Sequence, residues 1–335
     1  MKERQMERSV NDNPAGGYAG KSVAITGGAG YLATNLVHAL KETNCRITRI
    51  DLPDAKFEVA GGRAQIIDFL GDIRKSSTWE RAVVDADVIF HFAAQTSTYV
   101  ANADPVADAE NSVLPLLRLL ELCRERGWHK TIVFSSTVTV AGIPSRTPVD
   151  ETFAENPVTI YDLHKLIAEQ YLKYFTRMNV VSGIILRLAN VYGPGPRSSR
   201  PDRGVLNQMT RRALDGKTLT VYGRGEQLRD YVHVEDVVAA FLQAGLHVDL
   251  LKGEHFIIGS GQGYSIAQAM NLIADRVALK TGRRVDVVHI DPPEPLSPIE
   301  FRNFVADPQR FRNLTGWRAT YTLTRGIDRT IERLL

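Results

Sequence analysis

Cysteine is nearly absent: Cys45 and Cys123 are the only two in 335 residues. Two thiols make neither a disulfide framework nor a Cys-rich metal site. No apolar run approaches the roughly 18 residues of a membrane-spanning helix. An excess of one charge is also missing. The 41 Lys and Arg against 38 Asp and Glu leave +3, too little to argue for nucleic acid or an anionic membrane as partner. There are no internal repeats and no low-complexity tracts. His91, His233 and His289 stand isolated and make no metal-ligand spacing, so no metal is expected. The opening residues 1–20 are polar and Gly-rich, with no apolar stretch for a secretory signal. They read as a flexible leader, and the cytoplasm is the expected compartment. What remains is an ordinary globular composition, 44% hydrophobic and 24% charged, long enough for one large domain or two fused ones.

From Ser22 onward, short β-branched runs alternate with longer amphipathic ones. Strands are predicted at Val23–Thr26, Arg46–Asp51, Ala64–Ile67, Val88–His91, Thr131–Ser135 and Val181–Arg187. Helices are predicted at Tyr31–Thr43, Ala107–Arg126 (bent at Pro115) and Tyr161–Met178. Strand–helix alternation of this kind implies an α/β fold with a doubly wound parallel sheet. After Asn190 the texture changes. Residues 191–204 are rich in Gly, Pro, Ser and Arg and mark a loop, and Pro292, Pro293 and Pro298 break the chain again. The expected division is a leader over 1–20, a nucleotide domain over 21–190 and a smaller α/β substrate lobe over 191–335. Val237–Val238 and Phe256–Ile258 are expected to return to the main sheet as strands.

Gly27, Gly28 and Gly30 lie between the first strand and the first helix, with Ala33 at a fourth small position. Such a loop lets backbone approach a pyrophosphate at a helix N-terminus. Glycine-rich turns also occur without ligand. Asp51, at the end of the second strand, is placed to accept both hydroxyls of an adenine ribose and to repel a 2′-phosphate, which favours NAD over NADP. Tyr161 and Lys165, four residues apart, share one helix face. A free phenol, with a pKa near 10, is a poor base at neutral pH, and a neighbouring ammonium favours the phenolate. The same pair is also common on solvent-facing helices.

Together these motifs resemble the extended short-chain dehydrogenase/reductase family, in its group of NAD-dependent nucleotide-sugar epimerases and dehydratases. TGGAGYLATNLV is similar to its glycine loop, YDLHK to its YxxxK motif, and LRLANVYGPG and RDYVHVED to its substrate segments. The resemblance implies a Rossmann sheet with a smaller C-terminal lobe. It implies that Gly27, Gly30, Tyr31, Leu32, Asp51, Asp72, Ile73, Phe92, Ala93, Ala94 and Asn111, with Tyr161 and Lys165, bind NAD. It assigns catalysis to Thr137, Tyr161 and Lys165, with Ser136 as the fallback for Thr137. Substrate contacts fall to Thr96, Thr137, Asn190, Arg229 and Arg302. Thr96 stands where some 4-epimerases hold a lysine, and Arg302 lies in a segment that departs from relatives. His164, inside the YxxxK motif, is expected to turn away from the Tyr–Lys face as a surface or packing residue.

The related dehydratases carry an Asp-Glu pair after the threonine, and related decarboxylases carry a glutamate. Val138 and Thr139 supply neither, so elimination is disfavoured. The expected reaction is epimerisation of a nucleotide-diphosphate sugar, most simply at C4 through a transient 4-keto sugar. The alternative is a single-hydride reductase of a 4-keto-6-deoxysugar nucleotide, or another nucleotide-sugar dehydrogenase. Leu114, Leu117, Leu119 and Leu122, with Leu166, Tyr171 and Tyr174, make two helices unusually apolar. Corresponding helices pair across a two-fold axis in this family, so a homodimer is expected.

Overall fold

The computed structural model describes residues 14–197, 204–292 and 296–335. Strands β1 (Ser22–Thr26), β2 (Arg46–Asp51), β3 (Gln65–Leu70), β4 (Val88–His91), β5 (Thr131–Thr137) and β6 (Ser182–Leu188) lie in the first part of the chain. They alternate with helices α1 (Tyr31–Leu40), α2 (Ser76–Ala82), α3 (Thr98–Ala103), α4 (Pro105–Ser112), α5 (Leu114–Arg126) and α6 (Ile160–Arg177). Then follow β7 (Asn190–Tyr192), α7 (Val205–Leu214), β8 (Leu219–Tyr222), β9 (Leu228–His233), α8 (Val234–Leu246) and α9 (Val248–Leu251). The chain continues through β10 (His255–Ile258), β11 (Gly263–Ser265), α10 (Ile266–Thr281), β12 (Val287–Ile290), α11 (Gln309–Thr315) and α12 (Leu323–Leu334).

Among the described residues, seven strands form one parallel sheet in the order β10-β6-β5-β4-β1-β2-β3. Strands β4 and β6 are buried along their whole length, and β1 is buried from Val23 to Thr26. That is why they read as continuous apolar runs rather than alternating ones. The order reverses between β1 and β4, so the loops after these two strands diverge and leave a crevice at their carboxyl ends. Two clusters of apolar side chains fill the two faces of this sheet, one around Leu36, Phe90 and Phe241, the other around Trp79, Leu119 and Phe134. A third cluster lies under two small sheets, β11-β9-β7 and β12-β8.

Several expectations change in the structure. Phe256–Ile258 does join the main sheet, as β10. Val237 and Val238 do not: they lie in α8, a helix capped at His233 and buried at Val234, Val237, Val238 and Phe241. The apolar pattern there has the helical period once the window is widened beyond two valines. The helix expected over Ala107–Arg126 is two helices, α4 and α5, parted at Val113. Pro115 has no N–H to continue the ladder, and its ring crowds the carbonyl four residues earlier. The flexible leader expected over 1–20 does not extend to Pro14–Tyr18. These residues form a 3-10 turn in which Tyr18 is fully buried and its hydroxyl donates to the Leu242 carbonyl at 2.9 Å. Residues 1–13 of the leader, residues 198–203 of the Gly/Pro-rich loop and residues 293–295 of the proline break lie outside the described residues.

Candidate active site

The loop after β1 is built by three glycines. Gly27 has φ +64°, the left-handed region, and a Cβ there would meet the Ala93 backbone nitrogen at 3.1 Å. A Cβ on Gly28 would meet the Ile50 nitrogen at 2.9 Å, so β2 passes directly beneath the loop. Gly30 then caps α1 without a side chain, and its N–H donates to the Gly27 carbonyl at 2.8 Å. The first turn of α1 therefore offers its N–H groups and the positive end of its dipole to whatever lies over the loop. Asp51, at the end of β2, accepts from the Ala29 N–H at 2.9 Å and the Leu52 N–H at 2.8 Å. Each carboxylate oxygen keeps a lone pair for a further donor. A cradle that only glycine fits, an open helix end and an oriented acid suit the pyrophosphate and ribose of a dinucleotide.

Opposite lies the loop after β4. Phe92 and Ala93 donate their N–H groups to the Thr26 hydroxyl, both at 3.1 Å. The two loops are thereby tied across the floor of the crevice. Asp72 sits after β3, where the Arg74 guanidinium holds it at 2.8 Å and keeps its carboxyl below the usual carboxylate range. Ile73 packs against the second core cluster. Asn111, on α4, donates to the Ala107 carbonyl at 2.6 Å. Tyr31 reaches from α1 to the segment just after β7, its hydroxyl donating to the Gly193 carbonyl at 3.0 Å. Leu32, beside it, packs on the first cluster.

Thr137 ends β5. Its hydroxyl lies 2.8 Å from that of Thr139, which donates in turn to Asp162 on α6. Asp162 is the third residue of α6, and its N–H donates to the Thr159 side chain, so the helix start is capped where Tyr161 leaves it. Ser136 points elsewhere and donates to Glu169. Of the two hydroxyls considered, it is Thr137 that stays on the side of Asp162 and the first turn of α6. Lys165, one turn beyond Tyr161, is 4% exposed. Its Nζ donates to the Ser135 carbonyl at 2.9 Å and stands 4.8 Å over the Phe134 ring. Burial lowers its pKa to about 8, against the supporting charges of Asp108 and Glu169. His164 does not face solvent: its Nδ1 lies 2.6 Å from Oδ2 of the buried Asp108.

On the far side, Asn190 opens β7, in register with Tyr231 of β9. Arg229 and Arg302 are both buried. Arg229 donates to the carbonyls of Arg302, Glu300 (2.7 Å) and Leu228 (3.1 Å), and Arg302 donates to that of Ile299 at 2.8 Å. The two guanidiniums brace the 299–302 turn as well as charging it. Thr96 is exposed, just before α3. Sequence reasoning gave no role to Asp162, Asp108 or Glu169. Only Asp162 left a signal, as the fourth residue of a Thr-x-x-Asp helix start. Among the described residues, no group of three or more His, Cys, Asp or Glu side chains is placed to hold a metal ion, and no helix is long and apolar enough to cross a membrane.

A family model described as the NAD dependent epimerase/dehydratase family matches residues 23–259. The UDP-glucose 4-epimerase of Mycolicibacterium smegmatis is 30% identical over 319 residues, covering 92% of this chain and 96% of its own. A crystal structure of UDP-glucose 4-epimerase from Thermotoga maritima, with UDP-glucose, matches with a TM-score of 0.82 at 29% identity, over 93% of this chain and 98% of that one. The Thermus thermophilus UDP-glucose 4-epimerase complex with NAD matches with a TM-score of 0.77 at 29% identity, over the same shares of each chain.

Proposed function

The chain belongs to the NAD dependent epimerase/dehydratase family, and we infer that it is an NAD-dependent nucleotide-sugar epimerase that inverts C4 through a transient 4-keto sugar. One observation carries this reading. Lys165 is buried against the end of β5, one helical turn after Tyr161 and beside the strand that ends in Thr137, while positions 138 and 139 hold no carboxylate.

Gly27, Gly30, Tyr31 and Leu32 hold the pyrophosphate of NAD, and Asp51 its adenine ribose. Asp72 and Ile73 flank the adenine, and Phe92, Ala93, Ala94 and Asn111 line the remainder. When bound, NAD supplies the hydride acceptor and donor at the sugar carbon. Tyr161 takes the hydroxyl proton of the carbinol and later returns it. The Lys165 ammonium favours the phenolate form of Tyr161 that this requires. Thr137 hydrogen-bonds the same sugar oxygen and fixes its distance from the phenol. With Val138 and Thr139 where an acid pair would stand, no group takes a proton from the neighbouring carbon, and the keto sugar keeps its water. Asn190 contacts the diphosphate, Thr96 lies near the sugar, and Arg229 and Arg302 present a fixed positive field to the substrate.

Residues 21–190 act as the NAD-binding domain and 191–335 as the substrate lobe, with β10 lent back to the main sheet. The protein works in the cytoplasm as a homodimer joined along α6.

Incubation with UDP-glucose and a panel of other nucleotide sugars tests the reading. Epimer formation without net change in nicotinamide absorbance is expected. Tyr161→Phe should keep its NAD and lose roughly 10²–10⁴-fold in turnover, the usual worth of a general acid–base group. Undiminished turnover in that variant contradicts the assignment. Stoichiometric consumption of reduced nicotinamide with a 4-keto-6-deoxysugar nucleotide would select the reductase alternative.

A further inference from the structure

Lys165 is surrounded unequally. Of its two supporting carboxylates, Glu169 is already neutralised. Arg187 donates to it through Nε at 3.0 Å and Nη2 at 2.6 Å, and the Ser136 hydroxyl adds a third bond. Asp108 has no such cation fork. It reaches in from α4, only 2% exposed, and neighbouring donors hold its two oxygens apart. His164 Nδ1 is 2.6 Å from Oδ2, and Gln95 Nε2 is 3.0 Å from Oδ1. A carboxylate only accepts, so Nδ1 of His164 carries a hydrogen. Gln95 is itself fixed, its Nε2 donating to the Ser97 carbonyl at 2.7 Å and its Oε1 accepting from the Ser97 N–H. One carboxylate thus ties the loop after β4, on the crevice side, to the residue immediately before Lys165.

The other ionisable groups around Lys165 do not replace it. His91, from β4, is held neutral, since burial and the charge of Lys165 push its pKa down to about 3. Arg187, from β6, is spent on Glu169 and Glu155. Asp162, near the start of α6, takes the Thr139 hydroxyl.

We propose that Asp108, clamped by His164 and Gln95, is a positioning residue that keeps Lys165 cationic and locks the catalytic helix against the crevice loop. Its consequence for turnover rests on the epimerase reading, whereas its effect on the Lys165 charge does not. Burial has already brought the Lys165 pKa to about 8, with Asp108 the larger of the two charges that hold it up, so loss of that carboxylate would leave the amine partly deprotonated near neutral pH.

The experiment uses the full chain with its bound NAD. In Asp108→Asn, the basic limb of the kcat–pH profile should move about one unit to lower pH, with KM changed less than kcat. An independent readout is the thermal midpoint against pH, compared with the same curve for Lys165→Met. That difference curve bends where Lys165 titrates, and the bend should move down in the Asp108→Asn background. His164→Leu, which keeps the carboxylate but removes its donor, covers the case in which Asp108→Asn does not fold. It should lower kcat about tenfold, with His164→Gln recovering most of the loss. The proposal is overturned if Asp108→Asn folds and moves neither limb nor bend, or if His164→Leu turns over normally. A moved bend in a protein that epimerises no sugar would uphold the role of Asp108 and sink the epimerase reading instead.

Discussion

Thr26 has one hydroxyl, and the structure uses all of it. Both lone pairs accept, from Phe92 and Ala93 at 3.1 Å, so its hydrogen must go to His91 Nδ1 at 2.8 Å. His91 therefore carries its own proton on Nε2, in keeping with an imidazole held neutral. Thr26→Val keeps the shape but leaves two backbone donors and a ring nitrogen short of a partner. It should cost about 2–4 kcal/mol in denaturant unfolding, with Thr26→Ser restoring most of it. Gly27→Ala forces a side chain into the left-handed region and toward Ala93. It should weaken NAD binding, measured by cofactor retained after gel filtration, and a full complement of NAD would contradict the cradle. At this scale the glycine loop and the Tyr161–Lys165 spacing could be read in advance, because both are local patterns. Asp108 could not. Its partners Gln95 and His164 lie 13 and 56 residues away, and nothing in the sequence pairs them.

Helix α6 shows how one element serves three masters. Tyr161 and Lys165 occupy its face toward the end of β5, and Glu169, one turn on, is wholly buried with Arg187 of β6. Arg187 in turn reaches Glu155, in the chain entering the helix. Breaking such a pair leaves a bare charge in the interior, so Arg187→Met should destabilise by about 3–5 kcal/mol, read by chemical unfolding. A loss below 1 kcal/mol would show the network to be dispensable. The outer face carries Leu163, Tyr171 and Tyr174, continued by Met178 just past its end, all exposed apolar side chains at helical spacing. Of the four leucines of α5 expected to join them, Leu119 and Leu122 face the core and Leu117 packs half-buried against it, which leaves Leu114 exposed at the start of the helix. Tyr171→Glu with Tyr174→Glu should give a monomeric mass in solution scattering where the parent chain gives twice that. A monomeric parent removes the homodimer.

For the whole molecule, three histidines with depressed pKa values contribute to the response to acid. Burial lowers His91 and His255 to about 3 and His233 to about 4. Unfolded, each would take up its proton near 6.5. Between these values the unfolded chain binds more protons, so this contribution is complete above about pH 6.5 and is lost as pH falls toward 3. Buried Asp230 and Asp236, whose pKa values burial raises, act in the opposite sense. The histidine share is therefore isolated by comparing His255→Gln with the parent. The variant should lose less stability between pH 7 and 5, and parallel unfolding curves would contradict the assignment.

Strand–helix alternation, the glycine loop and the YxxxK spacing were legible because each depends on neighbours within one or two turns of chain. Periodicity and backbone geometry alone decide them. Local pattern misplaced Val237–Val238 and joined α4 to α5, since two valines fit either period and a single proline leaves break or bend undecided. Only the folded chain decided that Arg229 would brace the 299–302 turn and that Asp108 would meet Gln95 and His164. Those choices depend on which distant groups exclude water together, and burial of that kind is a property of the packed chain rather than of any segment within it.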